Sequence, residues 1–590
     1  MVLKRKKVSK RLLVIGILFF MIFMALVSRL GYITIINGSD YKQLALKQWT
    51  ETIKVAPKRG NILGKNGSIL ALDADVYRVD VDLKVFRKYL VDKNIPQKKA
   101  VEILSHKLNI NNNEIQKILN SKDNKGNLLQ FVFMKGKVKK DVADAIKALK
   151  YNGIMISSDV ERVYPNDSFL SHIIGHTTSD RNGISGVEQS YNKELAGVTG
   201  VKVVEVDRNN NELPYAKANN IQPVDGKDLT LTIDEKIQEL AESVASETLT
   251  ENSARSVSIT IMNPKNGEIL AMANAPDYNL NKPYEEVGTD SEIQETWKNR
   301  AIGNLIEPGS IFKVITAAAA LQNNVVTPHE RFDSDGSIKV GNTILYNDNK
   351  ENYGVETFSD IIKNSDNVGF VKLGQKIGKE NLYKFTKEAG FGKKTNIDLP
   401  GENAGLIKDL KNINPVDLAT MAYGHGIAVT QVQYIAAFNA IANGGTWIKP
   451  HVMKEISHRV NGKKILDKQY ESFGDKTITS KEKATQLRTY LERVVKEGTG
   501  KQTHIEGYHI AGKTGTANKV NNTTGGYESG KYITSFAGMA PASNPKVTLI
   551  VTIEEPNSEK YYAAQTAVPA ARKLFSGLFS ILNIAPDNVK

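Results

Sequence analysis

The stretch EPGSIFK at residues 307–313, followed by the alanine-rich run VITAAAAL at 314–321, decides the fold of the second half of this chain. A Pro-Gly turn ahead of an apolar run predicts a helix that begins near Ser310. Ser310 and Lys313 are three residues apart, so both lie on one face of that helix. The positive helix end would stabilise a developing oxyanion, and burial would lower the pKa of Lys313 enough for it to act as a base. The segment therefore predicts a nucleophile with its base, although Ser-x-x-Lys alone is common.

A second motif, Ser365-Asp366-Asn367, lies in the polar stretch KNSDNVG at 363–369. A serine hydroxyl can relay a proton, and an asparagine amide can hold the amide group of a substrate. Taken alone, the motif is equally compatible with an ordinary polar loop.

A third motif, KTGT at 513–516, follows the strand pattern at 508–512. Gly515 allows a ligand to approach the strand edge closely, because it has no side chain. Lys513, Thr514 and Thr516 carry the charge and the hydroxyls that bind a carboxylate. The three motifs occur in the order helix start, helical insert, strand. We therefore reject the explanation that the three motifs occur together by chance.

Five strand patterns surround these motifs. Two form a hairpin pattern around Asn266-Gly267, at 256–262 and 268–274, and three follow at 508–517, 533–539 and 547–553. Residues 308–500 are predicted to be largely helical, and an apolar-striped helix is expected at about 563–582. The predicted fold class is therefore α+β, with a five-stranded antiparallel sheet flanked by helices and an all-helical subdomain. Residues 90–150 are also expected to be mostly helical.

The N-terminus has the pattern of a membrane anchor. Basic residues crowd positions 4–11, and the run 12–28 has no charge. Seventeen helical residues span about 25 Å, near the lower limit for crossing the hydrocarbon of a membrane. The positive-inside rule predicts a cytoplasmic tail at 1–11 and an extracytoplasmic catalytic domain on a single-pass protein of the cell membrane. A cleavable signal peptide is the alternative, but no clear small-x-small site follows the run.

Composition excludes several chemistries. The chain has 590 residues and no cysteine, so it has no disulfide framework, thiol nucleophile or Cys-ligated zinc. The net charge of +14 is interpreted as a solvated face near anionic lipid and wall polymer, and no nucleic-acid partner is expected. His172 and His176 have the spacing of metal ligands but lack a third one. No phosphate-binding loop is found, so neither a metal nor another cofactor is expected.

The three motifs together resemble the signature of the penicillin-recognising serine enzymes. Further motifs resemble class B penicillin-binding proteins, especially the division- and sporulation-type branch of Gram-positive bacteria. They are Arg59-Gly60, Asn66-Gly67, Arg162-x-Tyr164-Pro165, Gly186-x-Glu188, Asn299-Arg300 and Gly424-His425-Gly426 with Thr430 and Gln433. His425 stands where the family usually has Gln, and Gly64-Lys65 where it often has Asp-Arg. The resemblance implies a transmembrane helix at 12–28, a mixed α/β pedestal module of the dimerisation type at 29–225, and a penicillin-binding transpeptidase domain at 226–590.

The resemblance also implies a D,D-transpeptidase that crosslinks peptidoglycan. Ser310 would attack a stem peptide that ends in D-Ala-D-Ala, with Lys313 as the base. Ser365 and Lys513 would return a proton to the departing D-alanine.

The other residues of the motifs would bind the substrate. Asn367 would hold the peptide amide, and Thr514, Gly515 and Thr516 would line the carboxylate site. The backbone N–H groups of Ser310 and Thr516 would hold the oxyanion. An amine of a second stem peptide would resolve the acyl-enzyme, and a β-lactam would trap it.

Other functions share these motifs. A D,D-carboxypeptidase has all three, and so does a serine β-lactamase, which also needs a base for the deacylating water. No Glu-x-x-Leu-Asn pattern follows Ser365, and Glu402 lies in PGEN at 400–403 instead. A non-catalytic β-lactam sensor or scaffold is the alternative from another class. Both for the transpeptidase and for the non-catalytic scaffold, the expected partner is a membrane glycosyltransferase of the shape, division or sporulation type.

Overall fold

A computed structural model describes residues 10–205, 219–285, 289–472, 475–521 and 526–586. The chain forms two compact units, one of Met1–Pro57 with Gly197–Asp225 and one of Lys58–Ala196 with Gly226–Lys590. The first unit contains the helices Lys10–Gly31 and Gly38–Trp49, the π-helical turn Tyr32–Ile36 and an antiparallel sheet of strands Thr50–Val55, Gly200–Glu205 and Asn219–Ile221. Among the described residues, the helical stretch Lys10–Ile36 is the one long and apolar enough to cross a membrane. It contains the predicted run 12–28.

The second unit begins with a seven-stranded sheet. Its strands are Ile62–Leu63, Ile69–Asp82, Phe131–Val138, Ile154–Val163, Asp228–Leu231, Met453–Val460 and Lys463–Gln469. The helices around it are Leu83–Asp92, Gln97–Leu108, Asn112–Leu119, Lys140–Lys147, Ser171–Ile174, Gly186–Ser190 and Asn192–Leu195. Ile62 pairs with Leu229 in parallel, so this sheet continues across the boundary predicted at 225, which stays a prediction. Residues 90–150 are mostly helical as expected, and the strand Phe131–Val138 is the part of this range that the sequence analysis did not predict.

Buried ion pairs fix the conformation of the pedestal module. The Glu188 carboxylate is fully buried and accepts hydrogen bonds from Arg59 Nε at 2.5 Å and Arg162 Nε at 2.7 Å. Arg162 also contacts Asp73 at 3.3 Å, and so does Arg181 at 3.1 Å. These residues lie far apart in the sequence, so the network holds the pedestal segments together.

The catalytic half is built on the predicted five-stranded antiparallel sheet. Its strands in spatial order are Ile269–Ala275, Ser256–Met262, Val547–Glu554, Tyr527–Ala540 and Ala511–Val520. Alternate side chains point to opposite faces, as the two-residue period of a strand requires. Val551 packs with the helices Glu235–Glu251 and Ala567–Ile581, whereas Ile550 packs with the core that contains helix Gln431–Ala442.

The insert between the sheet strands is mainly helical. Its helices are Asp290–Trp297, Arg300–Gly303, Lys313–Gln322, Phe358–Lys363, Asn367–Ile377, Lys379–Glu388, Pro415–Met421, Gln431–Ala442 and Lys481–Lys496, with short 3-10 turns at Gly309–Phe312, Asp348–Lys350, Leu410–Asn412 and Lys501–Thr503. It also has the short strands Arg331–Ser334, Ser337–Val340, Thr343–Tyr346, Gly354–Thr357, Thr446–Trp447 and Lys476–Thr477. The sequence analysis predicted an all-helical subdomain, but the structure shows a mixed one. These strands were missed because strands of four residues are too short to show a periodic pattern.

We expect Glu188→Ala to destabilise the second unit strongly. The change leaves the guanidinium groups of Arg59 and Arg162 buried without their shared carboxylate, which costs about 3–5 kcal/mol in comparable cases. Denaturant unfolding of the full-length protein in detergent measures the loss. Asp75→Ala is the matched control, because Asp75 pairs with Lys58 at the exposed surface. Equal stability of the two variants would contradict this role of the network.

Candidate active site

Ser310 lies at the start of a helix that is pressed against the edge strand of the five-stranded sheet. The 3-10 turn Gly309–Phe312 leads into the helix Lys313–Gln322. Gly309 has a φ of 53°, and a Cβ atom there would lie 3.2 Å from the carbonyl oxygen of Thr516. A Cβ atom at Gly515 would lie 3.0 Å from the carbonyl oxygen of Pro308. Two glycines therefore allow the first and third motifs to meet backbone to backbone.

Lys313 connects the first motif to the second. Its side chain is fully buried, and Nζ donates to the Ser365 carbonyl oxygen at 2.6 Å and to Asn367 Oδ1 at 2.7 Å. Ser365 Oγ is a third acceptor at 3.2 Å. All three acceptors are neutral, so the charge of a Lys313 ammonium has no direct counter-ion among them.

Lys513 reaches the same hydroxyl from the third motif. Its side chain is also fully buried, and Nζ donates to Ser365 Oγ at 2.8 Å and to the Thr514 carbonyl oxygen at 3.1 Å. Ser365 Oγ thus accepts from two lysines on different segments. The structure therefore brings together four predicted residues, namely Lys313, Ser365, Asn367 and Lys513.

Burial controls the protonation of this pair of lysines. Loss of solvation lowers the pKa of Lys313 to about 7. Loss of solvation, and next the charge of Lys313, lower the pKa of Lys513 well below its ordinary value. Two ammonium groups on one oxygen repel each other, so neutral lysine is populated near pH 7.

The other predicted residues line the cleft around these lysines. Ser310 is half-buried, and its hydroxyl has no hydrogen-bond partner among the residues the structure describes. Thr514 Oγ1 lies 2.7 Å from Thr499 Oγ1, and Thr516 Oγ1 accepts from the Ala563 N–H at 3.1 Å. Each of these hydroxyls keeps further hydrogen-bonding capacity for a ligand.

Sequence analysis missed a second group of residues beside Ser310. The Glu307 carboxylate is buried and accepts from the Gly426 N–H at 2.8 Å and from the Tyr527 hydroxyl at 3.0 Å. His425 Nδ1 lies 3.3 Å from that hydroxyl. Burial raises the pKa of Glu307 and lowers that of His425 to about 4, so His425 is neutral at pH 7. The departure at His425 is the sequence signal that could have indicated this group.

Glu402 has no free oxygen for activating water. One of its oxygens accepts from the backbone N–H and the hydroxyl of Thr395, each at 2.6 Å, and the other accepts from the Asn396 N–H at 2.9 Å. Its carboxylate therefore serves the local structure of the insert.

His172 and His176 have structural contacts. His172 Nε2 lies 2.9 Å from the Thr296 carbonyl oxygen, and His176 Nδ1 lies 3.3 Å from the Tyr278 hydroxyl. Within the described ranges, no three His, Cys, Asp or Glu side chains are arranged to hold a metal ion.

A helix-start serine beside two buried lysines, at the edge of an antiparallel sheet, is typical of serine acyltransferases that use lysine as the base. A family model of the penicillin-binding protein transpeptidase domain matches residues 257–576, and one of the penicillin-binding protein dimerisation domain matches 54–231. The chain belongs to the penicillin-binding protein transpeptidase family, and the predicted resemblance is confirmed.

Curated relatives match nearly the whole chain. It is similar to stage V sporulation protein D of Bacillus subtilis, with 33% identity over 98% of this chain and 87% of the relative. It is also similar to peptidoglycan D,D-transpeptidase FtsI of Escherichia coli, with 30% identity over 94% of this chain and 87% of the relative. The crystal structure of penicillin binding protein 2X from Streptococcus thermophilus has a TM-score of 0.71, 25% identity, and coverage of 91% of this chain and 83% of that chain.

We expect Lys313→Arg to lower the rate of Ser310 acylation about a hundredfold or more. Arginine keeps the positive charge but is not deprotonated in proteins, and a positioned base contributes about this much. In the unaltered protein, the rate should rise as the pH increases from acidic values toward about 7, where Lys313 loses its proton. Stopped-flow labelling with a fluorescent penicillin measures both effects. Lys339→Arg, at an exposed position of the insert, is the control, and a rate for Lys313→Arg close to that of this control would refute the base.

Proposed function

We propose that the protein is a serine-type D,D-transpeptidase that crosslinks peptidoglycan stem peptides through an acyl-enzyme on Ser310. The observation that supports this most is the meeting of Lys313 and Lys513 at Ser365 Oγ, one turn from the helix start that carries Ser310. This arrangement supplies a neutral amine for proton abstraction and a hydroxyl for proton return. The names of the full-length relatives support the same activity.

In the first half-reaction, Ser310 Oγ attacks the carbonyl carbon of the penultimate D-alanine. Lys313 Nζ takes the hydroxyl proton, and the N–H groups of Ser310 and Thr516 hold the oxyanion. The C–N bond then breaks, and Ser365 relays to the departing D-alanine the proton that Lys313 has taken, while Lys513 donates a hydrogen bond to the same hydroxyl. The products are free D-alanine and a Ser310 ester of the shortened stem peptide.

The remaining predicted residues orient the donor peptide. Asn367 uses one N–H for the Tyr346 carbonyl oxygen at 3.0 Å, so its second N–H is available for a substrate amide. Thr514 and Thr516 bind the terminal carboxylate beside Lys513, and Gly515 leaves room for it. An amine of a second stem peptide then attacks the ester carbonyl and loses a proton through Ser365 to Lys313. As the C–O bond breaks, Lys313 returns that proton to Ser310, which leaves as the hydroxyl.

We expect penicillin to form a lasting adduct on the peptide that contains Ser310. The reason is that Ser310 opens the β-lactam ring without releasing a leaving group, so the opened ring stays where the acceptor amine would enter. The sequence also has no Glu-x-x-Leu-Asn pattern after Ser365 to supply a base for a deacylating water. Mass spectrometry of the labelled full-length protein locates the adduct, and its decay is followed over hours. Ser310→Ala should lose the label, whereas Ser337→Ala at an exposed position should keep it.

Other outcomes of that experiment identify the alternative functions. Multiple-turnover hydrolysis of penicillin would favour a β-lactamase, and labelling without turnover of any stem peptide would favour a sensor. A pentapeptide donor offered with an acceptor amine separates the last two cases. Release of D-alanine without a crosslinked product would indicate a carboxypeptidase.

The membrane arrangement completes this function. By the positive-inside rule, the basic segment before the apolar helix favours a cytoplasmic location of residues 1–11 and an extracytoplasmic catalytic domain. The substrate of a crosslinking enzyme is nascent glycan made at the membrane, so a tether raises its effective concentration. A polytopic glycosyltransferase is the partner that this placement favours.

We expect the helix at residues 12–36 to recognise that partner as well as anchor the protein. Close helix packing in membranes depends on small residues, and Gly16, Ala25 and Ser28 supply them. Replacing 12–36 by an unrelated membrane helix should reduce co-purification of the glycosyltransferase while penicillin labelling persists. A replacement helix that retains small residues at these three positions is the control. Unchanged recovery with both helices would show that the segment is only a tether.

A further inference from the structure

Ser365 has a backbone conformation that needs support. Its φ is 59°, in the left-handed region, which costs a residue with a side chain about 1–2 kcal/mol. It lies between the end of helix Phe358–Lys363 and the start of helix Asn367–Ile377. The position of its hydroxyl between the two lysines therefore depends on what holds the residues on either side.

Two buried carboxyl groups hold those neighbouring residues. Asn364 Nδ2 donates to Glu356 Oε1, on the strand Gly354–Thr357. Asp366 Oδ1 accepts from the Gly369 N–H at 3.0 Å and caps the following helix. Glu356 thus fixes the residue before Ser365, and Asp366 is the residue after it. Glu356 is 6% exposed and Asp366 is fully buried.

The second oxygen of each carboxyl is unusual. Glu356 Oε2 and Asp366 Oδ2 are both buried, and neither accepts a hydrogen bond from a donor group in the described part of the chain. The two carboxyl groups contact each other directly. Two buried carboxylates in contact would repel strongly, whereas one proton between them gives both remaining oxygens a partner.

We propose that Glu356 and Asp366 share one proton, and that this acid–carboxylate pair is a positioning device for Ser365. Glu356 carries the proton on Oε2 and donates it to Asp366 Oδ2. The pair then ties the strand Gly354–Thr357 to both neighbours of Ser365. Glu356 acts through Ser365 and does not touch the substrate. The inference rests on the proposed function, since it concerns the same site.

The surrounding charges are compatible with a pair that keeps its proton up to neutral pH. Burial, and then the contact with Asp366, raise the pKa of Glu356 to about 7. The other titratable and charged groups on the neighbouring segments are Arg331, Asp333, Asp348, Glu351, Tyr353, Asp360, Lys363, Arg493 and Lys313. The pKa of Asp360 is lowered to about 2 and that of Tyr353 raised to about 12, so neither titrates near neutrality. Lys313 does titrate near neutrality, and its loss of a proton promotes acylation, whereas loss of the Glu356 proton opposes it.

The sign of the pH effect follows from these values. Because the pKa of Glu356 is raised in the folded protein, the stabilising effect of the pair is present at acidic pH and is lost as the pH rises through about 7. Loss of the proton leaves two like charges beside Ser365. The added charge also favours the protonated form of Lys313 and so opposes its action as a base. Acylation should therefore pass through a maximum near pH 7, where Lys313 begins to lose its proton and Glu356 still keeps its own, and should fall at alkaline pH.

The test is the pH profile of the acylation rate of the full-length protein with a fluorescent penicillin, from about pH 5.5 to 9. In Glu356→Gln, the amide donates to Asp366 and accepts from Asn364 without titrating, so the alkaline fall should disappear. Glu351→Gln changes an exposed carboxylate of the same segment and should keep the profile of the unaltered protein. The Glu356→Ala protein lacks both contacts, so its Ser310 should be acylated about tenfold more slowly, or more slowly still, at every pH.

Several results would overturn the proposal. The proposal is wrong if the acylation rate of the unaltered protein shows no alkaline fall, or if Glu356→Gln keeps that fall. It is also wrong if Glu356→Ala is acylated as fast as the unaltered protein. If Glu356→Ala does not fold, Asp366→Asn decides instead, because its amide donates to Glu356 and should also abolish the fall. Absence of any label on Ser310 in the unaltered protein would refute the proposed function itself, which is a distinct outcome.

Discussion

The structure of the active site depends on one interaction, the approach of two buried lysines to a single hydroxyl. Lys313 and Lys513 both donate to Ser365 Oγ, and both side chains are completely buried. A buried ammonium without a carboxylate partner is expensive, and a second one beside it more so. The protein therefore obtains a neutral lysine from burial and from the repulsion between two neighbouring ammonium groups, and a base near pH 7 is the direct consequence.

That interaction requires three distant segments of chain to approach within hydrogen-bonding distance. Glycines make the approach of two of these segments possible, since a Cβ atom at Gly309 would lie 3.2 Å from the Thr516 carbonyl oxygen. Gly515 gives the same freedom to the edge strand. The helical insert supplies the middle segment, and Ser365 reaches both lysines only in its left-handed conformation. The sheet and the insert thus act as rigid supports on either side of one strained residue.

Local patterns predicted the parts of this arrangement that are encoded locally. Asn266-Gly267 predicted the hairpin between Ser256–Met262 and Ile269–Ala275, and the three motifs predicted the family. Four-residue strands such as Arg331–Ser334 were missed because they are too short to show a period. The contact between Glu307 and Tyr527 spans 220 positions, and neither residue has a local pattern that requires the other. The contact of Glu356 with Asp366 was also missed, because no local pattern links these two carboxyl groups.

The placement of carboxylates explains why an acyl-enzyme here should wait for an amine. Water needs a base with a free oxygen to attack an ester, whereas an incoming amine is already a strong nucleophile. Glu402 has committed its oxygens to Thr395 and Asn396, and Glu307 has committed its own to Gly426 and Tyr527. Both carboxylates therefore hold loops in place. An amine that attacks as a nucleophile needs neither of them, whereas water would have to compete with these hydrogen bonds for its base.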